Sequence, residues 1–229
     1  MQVLADFTLS IAQLECPACS FAFNSTVPCT VSAITEVTPF ETDLHRVYSS
    51  SAQRGAGIGM CTRCGYSWWL SAFKISTLDS VEVEAVAGST EEHLRKFARA
   101  YVCGKQHKHN HLELGLIALN AAWCAHDGGA SSRHWATIAR EELERALRHP
   151  STRKDRGFYQ YLLGELYRQE SQFKAALKHF DLAVAGERLP ECLITRQKVQ
   201  TRAADSTPTL LPPYLVKNMF APVKSFNAA

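Results

Sequence analysis

The sequence predicts an α+β chain, mostly α, in which a small cysteine-bearing β domain precedes a run of antiparallel helix pairs. Three observations predict it. Two Cys-x-x-Cys pairs, Cys16/Cys19 and Cys61/Cys64, stand in a first half made of short strand-like runs. From residue 89 to about 204 the apolar positions recur with helical spacing, interrupted by glycine and proline stops. Charge divides at the same place: residues 1–88 hold eight acids against four bases, a net of −4, and the remainder nets +7. The expected domains are therefore 1–88, 89–204 and a Pro-rich apolar tail over 205–229. An apolar content of 46% is enough for a buried core.

In the first half, Phe7, Leu9 and Ile11 alternate with small or polar residues, the period of a half-buried strand. Residues 24–59 mix Ser, Thr, Pro and Gly and read as an insertion, with Gly55, Gly57 and Gly59 leading to the second cysteine pair. Tyr66 to Phe73 is aromatic-rich and suits a strand. Within it Trp68 and Trp69 face opposite sides, one inward and the other either packed against the helical half, the favoured reading, or exposed for binding.

Each Cys-x-x-Cys turn aims two sulfurs and the intervening amides at one point, and two such turns supply a tetrahedron of thiolates. Pro17 stiffens the first turn, and Gly65 after Cys64 can take a positive φ. The pattern predicts a closed, structural Zn2+ site at Cys16, Cys19, Cys61 and Cys64, a zinc-ribbon-like arrangement with a 41-residue gap between the pairs. A thioredoxin-like redox motif needs a pair opening a helix in a βαβ context, which neither pair has. Cys29 or His45 is the alternative fourth ligand; Cys29, Cys103, Cys124 and Cys192 otherwise read as plain thiols.

Ser89-Thr90-Glu91-Glu92 fits a capping box that opens the helical half. Helices are predicted near 90–106, 111–126, 132–148, 157–170, 173–185 and 191–203, with stops at Gly128-Gly129, His149-Pro150 and Gly186 to Pro190. Leu163-Gly164-x2-Tyr167, then Ala176, Phe180 and Ala183, follow the small–large spacing of a tetratricopeptide unit, with Gln160 where the pattern has Trp. A degenerate earlier copy reads as Leu114-Gly115 with Ala139, Leu143 and Ala146. Pro208, Pro212, Pro213 and Pro222 forbid a regular helix through the tail. Its Leu210, Leu211, Tyr214 and Leu215 either fold back on the helices or dock a partner.

CPACSFAF, an insertion containing Thr42-Asp43-Leu44, CTRCGY and the helices with their repeat unit together resemble a widespread bacterial family, a domain of unknown function. The resemblance covers roughly residues 14–186. It implies a zinc ribbon joined to helical repeats and the metal that goes with it, and it implies no activity.

Other signals read as structural. His107, His109 and His111 fall between two helices and read as solvated loop histidines, with no acid beside them in sequence to complete a metal triad. Arg148, His149, Arg153, Lys154 and Arg156 read as an interhelical turn whose cations complement a helix C-terminus. The chain has no G-x-x-x-x-G-K-[ST], H-E-x-x-H or G-x-S-x-G pattern. It has no apolar run long enough for a membrane span, and its N-terminus lacks a basic leader.

The expectation is a non-enzymatic cytoplasmic adaptor whose helical repeats hold a protein partner, helped by the C-terminal tail. The alternative is a nucleic-acid-binding zinc ribbon. The −4 of residues 1–88, deepened by four thiolates around one zinc, argues against the ribbon as the reader. An enzyme built on the histidines ranks third.

Overall fold

A computed structural model describes residues 9–28, 39–48, 51–83, 89–149, 155–186 and 189–219. Phe7, Cys29, Arg153, Lys154 and residues 220–229 lie outside them. Among the described residues the order is β1 (Leu9–Glu15), β2 (Ala22–Pro28), α1 (Ser51–Gly55), β3 (Ile58–Met60), β4 (Ser67–Trp69) and β5 (Lys74–Val83). The helices α2 (Thr90–Gln106), α3 (His111–Asp127), α4 (Arg133–Leu147), α5 (Arg156–Gln169), α6 (Phe173–Leu182), α7 (Glu191–Arg202) and α8 (Pro213–Met219) follow. An antiparallel sheet followed by helices is the mixed α+β, mostly helical class that the sequence predicts. No described helix is long and apolar enough to cross a membrane.

The chain forms two compact units, and they do not follow chain order. Among the described residues, those within 9–28 and 48–145 make the cysteine-bearing unit, and those within 39–47 and 146–219 make the helical unit. Contacts thus divide the chain elsewhere than at residue 88. The reason is a shared core: Leu14, Ile58 and Trp68 from the strands are buried in one cluster with Phe97 and Ala100 of α2 and with Leu114 and Ile117 of α3. Gly104 permits the closest approach, since a Cβ there would stand 2.5 Å from the Trp68 ring and 2.7 Å from Leu114. It is Trp68, the inward indole, that joins strands to helix.

In the cysteine-bearing unit the sheet order is β2-β1-β5, all antiparallel. The expected Leu9/Ile11 alternation is broken. Leu9, Ala12 and Leu14 are the buried apolar residues of β1, and Ile11 is only half-buried. A register shift against β5 between Ser10 and Ala12 moves the inward face by one residue, which is the signature of a β-bulge. β3 and β4 form a separate two-stranded ribbon, pairing Ile58 with Trp69 and Met60 with Ser67. The aromatic run after the second pair therefore divides: β4 ends at Trp69, a 3-10 turn covers Leu70–Ala72, and β5 begins at Lys74. Ser89 caps α2 by accepting from the Glu92 amide at 3.2 Å, and Asn110 caps α3 by accepting from the Glu113 amide at 2.9 Å.

The helical unit is built on α5. Gly164 faces α6 so closely that a Cβ would stand 2.5 Å from the Phe180 ring, and the Tyr161 and Phe180 rings pack with centroids 5.6 Å apart. α6 stops at Leu182, before the expected 185, because Ala183 turns extended. Ala183 therefore lies past the helix.

The described part of the tail, residues 205–219, folds back within this unit: Leu211, Leu215 and Val216 are buried. The short α8 is admitted by Pro213 at its first position, where a missing N–H costs nothing. Part of the insertion also docks here. Leu211 N donates to Phe40 O (2.7 Å), Thr42 N to Thr209 O (2.9 Å), and Tyr161 Oη donates to Thr42 O. Gln169 Nε2 donates to the Asp43 carboxylate at 3.0 Å. Arg168, fully buried, forks onto Glu165 (3.1 and 2.8 Å) and reaches the carbonyls of Asp205 and Thr207. Residues 39–47 act as a strap across α5, although both cysteine pairs that flank them belong to the other unit. Arg156 donates to Leu147 O (2.8 Å), which fits a cation serving the end of α4.

Candidate metal centre

Cys16, Cys19, Cys61 and Cys64 offer sulfurs that all lie within 4.8 Å of one another. Two of the separations are 3.6 Å (Cys16–Cys64) and 3.8 Å (Cys19–Cys61). A tetrahedron of thiolates about 2.3 Å from a central zinc has edges of about 3.8 Å, so the spacing fits a metal of that size. The two C-x-x-C turns, separated by the insertion in sequence, converge on one point. His45 is outside the cluster; its Nδ1 is 2.9 Å from Glu41 Oε2.

The two turns are built alike. In the first, Cys16 N donates to Phe21 O (3.0 Å) and Ser20 N to Cys16 O (2.8 Å). In the second, Cys61 N donates to Tyr66 O (2.8 Å) and Gly65 N to Cys61 O (3.0 Å). The residue after the second cysteine takes positive φ in both, +55° at Ser20 and +72° at Gly65. Gly65 does so without strain, whereas Ser20 carries a Cβ into the left-handed region. The sequence reading found the glycine and missed the serine, although Cys-x-x-Cys-Ser in register with Cys-x-x-Cys-Gly was there to be read.

Burial and backbone donors set the thiols' proton affinity. Burial pushes Cys16 up to about 12 against the amides of Ala18 and Cys19, and burial also raises Cys64. At Cys61 burial acts in the same direction, but the amides of Cys64 and Arg63, helped by the neighbouring thiols, outweigh it and hold the group at about 7. The backbone amides of both turns are directed at these sulfurs and favour the thiolate form that a cation requires. Cys16 and Cys61 are buried, Cys19 is half-buried and Cys64 is exposed. Cys103 and Cys124 are buried thiols, and Cys192 is exposed.

His107 and His109 between α2 and α3, and His111 at the first position of α3, are each engaged by a different group. His107 meets the Tyr66 ring edge-on (5.6 Å), and His109 stacks on Trp68 (3.9 Å, 27°) with Nδ1 3.1 Å from Glu113. His111 Nδ1 is 2.6 Å from the buried carboxylate of Glu142. Glu113 is a local partner, four residues from His109, whereas Glu142 is brought to His111 by the fold. Glu142 also accepts from Tyr101 Oη (2.9 Å) and Arg145 (3.1 Å), with Lys105 at 3.5 Å. Burial would raise this carboxyl, but His111, Tyr101 and the two cations outweigh it and hold it below the ordinary range. The group ties α2, α3 and α4 together.

No curated protein and no solved structure matches the chain. The sequence model of one family does, over residues 9–206, a span that contains both cysteine turns, the strap and helices α1 to α7. The chain belongs to the family described as "Uncharacterized protein conserved in bacteria (DUF2225)".

Proposed function

We propose that the protein is a non-enzymatic adaptor, with a structural zinc ion at Cys16, Cys19, Cys61 and Cys64 and a helical unit that holds a protein partner. The observation that carries the partner-binding reading is a group of exposed apolar side chains at consecutive elements of the helical unit. Leu182 (52% exposed) ends α6, Val184 (68%) follows it, and Val199 (58%) lies on α7. Lys198 Nζ, 2.9 Å from Asp181 Oδ1, ties the two helices where these side chains emerge. The face of α5 is taken by the strap and by residues 205–211, so the partner surface is assigned to α6 and α7.

Four thiolates around zinc leave no position for water or substrate, which favours a structural ion. Two Cys-x-x-Cys pairs spaced for a metal, with Cys103, Cys124 and Cys192 as thiols, suit a reducing, cytoplasmic setting. The helix pairs support a divergent tetratricopeptide reading. Gly164 against Phe180 in α5/α6 has its counterpart in Gly115 against Leu143 in α3/α4, where a Cβ would stand 2.9 Å away. Ala139, Leu143 and Ala176 are fully buried, as the small–large pattern requires.

The test of the metal is elemental mass spectrometry with a thiol count before and after denaturation. One zinc per chain with four thiols protected until unfolding is the expected result; an iron content would overturn it. The test of the adaptor is affinity capture at moderate salt with the full chain and with a Val184→Asp/Val199→Asp variant. A specific protein retained by the first and lost by the second is expected. Equal retention by both would remove α6 and α7 as the surface.

A further inference from the structure

Residues 1–88 are net acidic, but the cysteine-bearing unit also contains the basic helix α2. α2 shares a core with the strands. From His93 to His111 the chain holds five lysines and arginines, four histidines and no acid. Arg99 Nε donates to Gly65 O at 2.8 Å, which fixes its planar guanidinium beside the second cysteine turn. Arg95 is exposed one helical turn earlier, about 6 Å away along the axis. Arg63, exposed within the turn itself, places its guanidinium 5.6 Å from the centre of the Phe21 ring. Phe21 follows the first turn and is 38% exposed. Of the acids on these elements, Glu15 is 3.4 Å from Lys74 and Glu92 is 4.0 Å from Lys96, each beside a cation outside this row, and Glu91 ends the row on the same helix face, one turn before Arg95.

We propose that Arg63, Arg95, Arg99 and Phe21 form a binding surface for single-stranded nucleic acid on the cysteine-bearing unit. Guanidinium groups match phosphate oxygens with a planar fork of donors, and an aromatic face stacks a base whatever its sequence. Both kinds of group are present, and both are held by rigid backbone. The two turns that carry Phe21 and Arg63 are cross-bonded loops, and Arg99 is pinned to one of them. A duplex would leave Phe21 without a base to meet, and an acidic peptide would use the cations alone. An unstacked strand uses both. The surface is independent of the α6–α7 partner surface, and either can fail without the other.

The test is fluorescence anisotropy of a fluorescein-labelled oligouridylate with the metal-loaded full chain. Variants are Arg63→Glu/Arg95→Glu, Phe21→Ala and, as a charge-matched control, Arg133→Glu at the exposed start of α4. Metal content and far-UV circular dichroism establish that each variant is folded. The expected result is binding that weakens by about tenfold or more in the double reversal and about tenfold in Phe21→Ala, and not in Arg133→Glu. Affinity should fall with salt on a log–log slope of about −2, the value for three phosphates on a single strand. No anisotropy change at low salt, or equal loss in the Arg133 control, would overturn the proposal. So would displacement of the oligonucleotide by polyglutamate as readily as by unlabelled oligonucleotide, since the surface would then read charge alone.

Discussion

Replacing Cys61 by serine tests how the metal centre and the helices depend on one another. Cys61 is buried and stands at the far end of the 41-residue stretch that begins after Cys19. Closing a loop of that length costs on the order of 4 kcal/mol in chain entropy, a cost that a metal bridging the two turns offsets. That figure is comparable with the whole stability of a domain, about 5–15 kcal/mol. Cys61→Ser should therefore lose the metal and bring the cysteine-bearing unit to the edge of unfolding. Because Phe97, Ala100, Leu114 and Ile117 share the core of the strands, α2 and α3 should loosen together with β1. α5 and α6, closed by Gly164 and Phe180 in the other unit, should not. Hydrogen exchange read by mass spectrometry separates the two groups of amides, with metal measured on the same sample. Unchanged metal in the variant would refute the ligand assignment. Loss of protection in β1 with α2 unaffected would refute the shared core and restore a boundary near residue 88.

Three further predictions concern single groups. Burial, reinforced by Lys96, holds His93 down at about 4 from an ordinary 6.5, so the folded chain binds fewer protons than the unfolded one between those values. Stability from this group is complete above pH 6.5 and is lost as pH falls toward 4. By pH 5 the loss is about 2 kcal/mol, and denaturant melts of His93→Gln at pH 7.5 and 5 should show a slope flatter by that amount. Ser20→Gly should relieve the positive φ and stabilise by up to about 1 kcal/mol, while Gly65→Ser should cost a similar amount in the same melt. Tyr161→Phe leaves the carbonyl of the fully buried Thr42 without its hydroxyl donor and should destabilise the helical unit by about 1–3 kcal/mol, seen as faster exchange at residues 40–46.

What could be read from sequence was local. The cysteine spacing named the four sulfurs that converge, Ser89 marked the start of α2 to the residue, and Leu163-Gly164 with Phe180 marked a close helix pair. What could not be read depends on partners distant in the chain. β1 loses its simple alternation because of a bulge against β5, more than 60 residues away, and nothing in residues 9–15 announces it. Residues 24–59, which read only as an insertion, contain most of β2, the short α1, the start of β3, and a strap whose buried Thr42, Asp43 and His45 look like surface residues in sequence. The histidines looked isolated because Glu142 lies 31 residues beyond His111. Charge shows the same limit: a tally by segment follows the order of the chain, while electrostatics follows the packing of α2 against the strands.

The strap also sets a timetable for the newborn chain. Thr42 emerges from a ribosome 119 residues ahead of Tyr161, the side chain that will hold it. At roughly 5–20 residues per second that is a wait of roughly 6 to 24 s, during which Phe40 and Leu44 have no helix to cover them. Both cysteine turns are complete well before then. A metal-closed ring would hold the waiting segment as a short loop and keep its apolar residues from a neighbouring nascent chain, so metal supply during translation should govern how much of the protein escapes aggregation.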